Sequence, residues 1–197
     1  MRGIYKGVLG RAVLALVVGM VIVAPASGQQ MPERQGFFDI RSATTTLNEG
    51  VHELEARLQL ILSDEALDAL NSGVPLRIEL VFEVIRVRGL WLDASDAVLT
   101  FGYELEYRPL SQRYIVRNMN SGDQDSFSTL YAALNNLGRV QGLPVIDDAI
   151  LSPGSNYRLR LRARLSTRQY PSALRLLTFW RSQWQLESDW YEWLLER

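Results

Sequence analysis

The 197-residue chain contains no cysteine, a single lysine at Lys6 and a single histidine at His52. Without cysteine, a disulfide framework, a thiolate metal site and a lipid-modified N-terminal cysteine are excluded together, and the fold must be held by packing. With one histidine, a histidine-based metal site would take all its other ligands from carboxylates, and a Ser-His-Asp triad would have no second base to draw on. His52 follows an expected hairpin turn, where a histidine is structural or solvated. No phosphate-cradling glycine loop and no nucleophile elbow occurs, and no catalytic residue, metal ligand or cofactor is assigned. Every basic residue after Arg11 is arginine, a bias that reflects coding composition unless arginine-specific contacts require it.

Long apolar runs are also missing after the first thirty residues. Within them, Arg2, Lys6 and Arg11 precede the uncharged run Ala12 to Ala24, and Ala24-Pro25-Ala26 supplies the small-x-small pattern of a cleavage site. Residues 1–26 therefore read as a signal peptide, with cleavage after Gly28 as the second choice. The run is shorter than the roughly 20 residues of a spanning helix, so a retained anchor is the alternative rather than the expectation. The mature protein is expected to be periplasmic or secreted, without membrane insertion. Setting aside Arg2, Lys6 and Arg11 from the 21 basic residues leaves 18 against 22 acidic ones, a net charge of −4. That balance argues against nucleic acid as a partner, because phosphate binding leans on a basic footprint.

What remains is a linker, 27–36, and one domain, 37–197, of ordinary size and composition. Alternation with period two dominates it, the mark of strands with one buried face. Leu54, Ala56, Leu58, Leu60 and Leu62 share a face, as do Leu76, Ile78, Leu80, Phe82 and Val84, and then Leu99, Phe101, Tyr103, Leu105 and Tyr107. An early strand, Phe38 to Leu47, is followed by a turn at Asn48-Glu49-Gly50. Another turn, Pro109 to Gln112, precedes a strand from Tyr114 to Asn118. Two short helices are expected in the connections. The first spans Glu65 to Asn71, capped by Ser63 or Asp64 and ended at Gly73; the second is capped by Asp125 or Ser126, with Phe127, Leu130, Tyr131, Leu134 and Leu137 on one face and Gly138 at its end. Near the C-terminus, Trp184, Leu186, Ser188 and Trp190 alternate as a strand, although Trp190, Trp193 and Leu194 also fit a helical face. The fold class is mainly β: a single antiparallel, β-sandwich-like domain of seven or eight strands with two short helices in the connections.

The cleanest strand carries the most unusual charge pattern. Arg158, Arg160, Arg162 and Arg164 alternate with Tyr157, Leu159, Leu161, Ala163 and Leu165. Four guanidinium groups on one face form either a binding stripe for carboxylate, phosphate or a protein partner, or one half of a cross-strand ion-pair array. The expected partners in the second case are Glu53, Glu55, Glu79, Glu83, Glu104 and Glu106, and the array is the preferred reading, with docking secondary. Asp147 and Asp148, after an expected turn at Gly142-Leu143-Pro144, and the pair Glu104 and Glu106 are candidate acid–base carboxylates for glycoside hydrolysis. Solvated side chains are the simpler reading of both. The tryptophan-rich C-terminus serves as core or as an aromatic platform.

Several local patterns together resemble an exported proteobacterial family known as a domain of unknown function, DUF4390-like. They are Ala69-Leu70 followed by Gly73-Val74-Pro75-Leu76, Arg86-x-Arg88 with Trp91, Leu105-x-Tyr107 leading to Tyr114 and Asn118, and Trp184-x-Leu186-x-Ser188-x-Trp190. The chain departs from the pattern at Leu165-Ser166, where Leu-Asp is expected. The resemblance implies export and a common fold, and brings no activity or catalytic residue. It also hints at a sensor's external domain as partner. The expected function is a non-catalytic binding or interaction module of the cell envelope with an envelope protein as partner; the alternative is an envelope glycan hydrolase using loop carboxylates.

Overall fold

The computed structural model describes residues 34–88, 94–166 and 186–195. The expected signal peptide, most of the expected linker, Trp91 and Trp184 lie outside them. Within the described residues the chain runs β1 (Phe37–Asn48), β2 (Val51–Ile61), α1 (Asp64–Asn71), β3 (Leu76–Val87), β4 (Ala94–Arg108), β5 (Arg113–Asn118), β6 (Gln124–Phe127), α2 (Leu130–Leu137), β7 (Arg139–Asp147), a 3-10 turn (Asp148–Ile150), β8 (Asn156–Ser166) and β9 (Tyr191–Leu194).

Turn chemistry sets the hairpins. Glu49 and Gly50, both at positive φ, join β1 to β2 as a two-residue turn whose twist suits paired strands. Helix α1 starts where Ser63 Oγ accepts from the Ala66 N–H, and it ends in a Schellman motif: Gly73 at φ 82 donates to Leu70 O and Val74 donates to Ala69 O. The second helix starts later than expected. Gln124–Phe127 pairs with β5 as strand β6, so the cap is Thr129, whose Oγ1 accepts from the Ala132 N–H at 3.1 Å. The helix buries Ala133 and Leu137 and leaves Tyr131 exposed. Its last residue is followed by Gly138, which is needed for space rather than for a left-handed backbone. The φ there is −76°, but an added Cβ would lie 2.4 Å from Leu58 O, because the Gly138 carbonyl accepts from the Leu58 N–H at 2.7 Å.

Among the described residues all pairings are antiparallel. One sheet has the order β1-β2-β7, the other β6-β5-β4-β3-β8-β9. Their apolar faces share one core: Phe38, Ile40, Leu54 and Leu60 from the smaller sheet lie with Leu80, Phe82, Leu159 and Leu161 from the larger. Trp193 on β9 ties the two layers, its ring 6.0 Å from that of Phe82 and its Nε1–H donating to Thr45 Oγ1 on β1 at 3.3 Å. The domain is thus an antiparallel two-sheet arrangement of nine described strands with two helices in the connections. Gly142-Leu143-Pro144, expected as a turn, lies inside β7. Gly142 has φ 58° and the register against β2 shifts there, so this is a bulged edge strand, a position where proline is tolerated.

Candidate functional site

The arginine strand β8 lies inside the larger sheet, with β3 on one side and the C-terminal segment on the other. Register places Glu79 opposite Arg164, Val81 opposite Arg162, Glu83 opposite Arg160 and Ile85 opposite Arg158. Arg160 donates from Nε and Nη2 to Glu83 Oε2 at 2.9 and 2.6 Å. Arg164 does the same to Glu79 Oε2, at 2.9 Å from each nitrogen. From the other side, Glu187 pairs with Arg162, and Glu192 lies 3.7 Å from Arg158 and 3.9 Å from Arg160. The four arginines are half-buried. Val81 and Ile85 lie on their face of β3 and are each only 6% exposed, which fits coverage by the arginine stems.

The cross-strand reading of the stripe is therefore correct in kind and partly wrong in its partners. Glu79 and Glu83 serve as expected. Glu53 and Glu55 belong to the other sheet, Glu104 faces Arg117 at 3.9 Å, and Glu106 bonds Arg108 at 3.3 Å. The C-terminal Glu187 and Glu192 take their place.

Trp190 belongs to this face too, which simple alternation with Leu186 and Ser188 does not anticipate. Between the pairs Arg164–Glu187 and Leu161–Tyr191 the C-terminal segment has one residue more than β8. A slip of one residue exchanges the faces of everything beyond it. Leu186 and Ser188 point inward at 5% exposure each, whereas the Trp190 ring lies 4.3 Å from the guanidinium carbons of both Arg160 and Arg162. Ser188 holds the irregularity: its N–H donates to Ala163 O at 2.8 Å, and its hydroxyl accepts from the Ala163 N–H at 3.0 Å. At the rim of the same sheet, Arg86 donates from Nε to Asp96 Oδ2 at 2.7 Å, a hydrogen bond that raises the guanidinium pKa above its ordinary value.

The other candidate carboxylates do not converge. Asp147 accepts from the Ala149 N–H at 2.8 Å and caps the 3-10 turn. Asp148 lies 3.0 Å from His52 Nε2. His52 is 1% exposed, on the same side of β2 as Leu54 and Ala56, and its Nδ1 has no hydrogen-bond partner among the described residues. Of the two expected readings, structural or solvated, the structure shows the first: His52 is a core side chain oriented by a loop carboxylate. Its even position in the series Leu54 to Leu62 was the sequence signal for that burial. Among the described residues, no group of three or more histidine or carboxylate side chains could hold a metal ion, and no helix is long and apolar enough to cross a membrane.

A two-sheet antiparallel domain with a buttressed arginine and tryptophan face belongs by its architecture to the mainly β proteins. More specifically, the chain is a member of the family described as Domain of unknown function (DUF4390), whose model matches residues 36–194. No curated protein and no solved structure matches it.

Proposed function

We propose that the protein is an exported, non-catalytic binding or interaction module of the bacterial cell envelope, engaging an envelope protein or a sensor's external domain through the outer face of the larger sheet. The observation that carries this reading is the placement of Trp190 beside Arg160 and Arg162. Tryptophan and arginine are the residue types that dominate protein interfaces. Here Glu79, Glu83, Glu187 and Glu192 hold the arginines, so less side-chain freedom is lost when a partner docks. Val98 and Leu194, 58% and 67% exposed, extend the same face with apolar surface. The signal-like N-terminal segment supports export to a periplasmic or secreted location. Glycoside hydrolysis needs two carboxyl groups facing one bond, whereas Asp147, Asp148, Glu104 and Glu106 are each engaged by a different neighbour.

Site-specific photo-crosslinking in intact cells tests the reading. A crosslinker at Val98 or Leu194 is expected to trap one discrete envelope protein, and the product should be lost in the Trp190→Ala background. A crosslinker at Tyr131, exposed on α2, should trap none. Absence of a product from the sheet face, or glycan cleavage by the purified protein that disappears with Asp148→Asn, would overturn it.

A further inference from the structure

The outer face of the smaller sheet is built differently from the arginine face of the larger one. A cleft of about 180 Å³ lies on it, lined by Ser42, Thr44, Glu55, Arg57, Arg139 and Gln141 together with parts of Ala56 and Val140. Arg57 and Arg139 are register partners across β2 and β7, so their side chains emerge side by side, and both are exposed. Among the described residues neither guanidinium makes an ion pair or a hydrogen bond. Elsewhere on the sheets arginines are set beside acceptors, as in Arg160 with Glu83, Arg164 with Glu79 and Arg86 with Asp96, and even the register partners Arg108 and Arg113 are held by Glu106 and Ser126. Here two like charges stand directly opposite one another, an arrangement that destabilises a sheet. Glu55 lines the cleft without lying within ion-pair distance of either.

We infer that this cleft is a binding site for a small oxyanion, carboxylate or phosphate, gripped by Arg57 and Arg139 together. Two adjacent guanidinium forks present parallel N–H donors to the geometry of such a group. An anion seated between them offsets the repulsion between the two guanidinium groups. The hydroxyls of Ser42 and Thr44 and the Gln141 amide offer neutral hydrogen bonds around it. Glu55 adds an acceptor that favours a ligand with a hydroxyl or ammonium group next to its anionic end. The site is separate from the Trp190 face and does not depend on its role.

The test is an NMR titration of the purified mature protein with inorganic phosphate and, separately, with acetate, following arginine side-chain and backbone resonances. Saturable shifts are expected at Arg57, Arg139 and their strand neighbours, and the tighter of the two probes identifies the class of anion. Arg139→Gln should weaken binding at least tenfold, and Arg139→Lys, which keeps the charge but loses the fork, should weaken it as well. Arg34→Gln, at an exposed arginine outside both faces, should leave it unchanged. Without anion, Arg139→Gln should melt at the same temperature as the parent or higher, since it relieves a like-charge pair. Unsaturable shifts spread over all arginines, or equal affinity in Arg139→Gln and the parent, would overturn the assignment.

Discussion

Arg164 places Nε and Nη2 each 2.9 Å from Glu79 Oε2, across a β3–β8 pair in which the two residues are direct register partners 85 positions apart in sequence. Glu79 is 8% exposed. This is a half-buried, charge-assisted contact and not a solvated surface pair. Glu79→Gln should therefore cost about 2 kcal/mol, within the range for hydrogen bonds to charged groups. Arg158→Gln, whose partner Glu192 is more open at 3.7 Å, should cost less than about 1 kcal/mol. Chemical denaturation of the two variants checks the contrast, and added salt should shrink only the smaller effect.

Gly138 meets the backbone of β2 so closely that no side chain fits there. Gly138→Ala is expected to destabilise by about 1–3 kcal/mol through overpacking against Leu58. At Gly73 an added Cβ meets nothing within 4 Å, but the backbone is left-handed. Alanine there should cost about 1 kcal/mol for the strained conformation alone. Urea midpoints for the two variants rank them.

Trp193 and Trp190 should separate cleanly by truncation. Trp193 packs on Phe82 and reaches Thr45 across the core. Its replacement by alanine should cost about 3 kcal/mol, at the low end for aromatic core truncation because the ring is only half-buried. Trp190→Ala removes two arginine contacts on the outer face and should cost about 1–2 kcal/mol. If the larger loss fell on Trp190, the assignment of faces after Ser188 would be wrong.

Tyr103 on β4 is held protonated above the ordinary tyrosine value of 10.0 because burial disfavours its phenolate. Below that value the group is neutral in both folded and unfolded chains and contributes no slope. Above it the unfolded chain releases the proton while the folded one keeps it, so stability must fall as pH rises. Melting temperatures taken from about pH 9 to pH 11 should show the decline, and Tyr103→Phe should flatten part of it.

Much of the strand pattern was legible locally. Alternation at Leu54 to Leu62, Leu76 to Val84 and Tyr157 to Leu165 marks which side chains are buried, and Ser63 with Gly73 marks a helix at both ends. His52 was legible as well, by its place in the first of these series, but nearness to a turn masked it. Phe127 was not. It fits the helical spacing of Leu130 and Leu134, and only the pairing of Gln124–Phe127 with β5 turns that segment into a strand.

The sequence by itself determined the β character of the domain, the turns between neighbouring strands and the clustering of four arginines on one face, because these follow from a period of two and from residues that tolerate particular backbone angles. Only the tertiary structure decided what faces what. Arg160 finds Glu83 at a separation of 77 residues and His52 finds Asp148 at 96, and Arg57 meets Arg139 rather than an acid. Periodicity assigns a side chain to a face without naming the strand beside it. That choice, like the one-residue slip that carries Trp190 onto the arginine face, is made by long-range pairing and by burying the two sheets against each other.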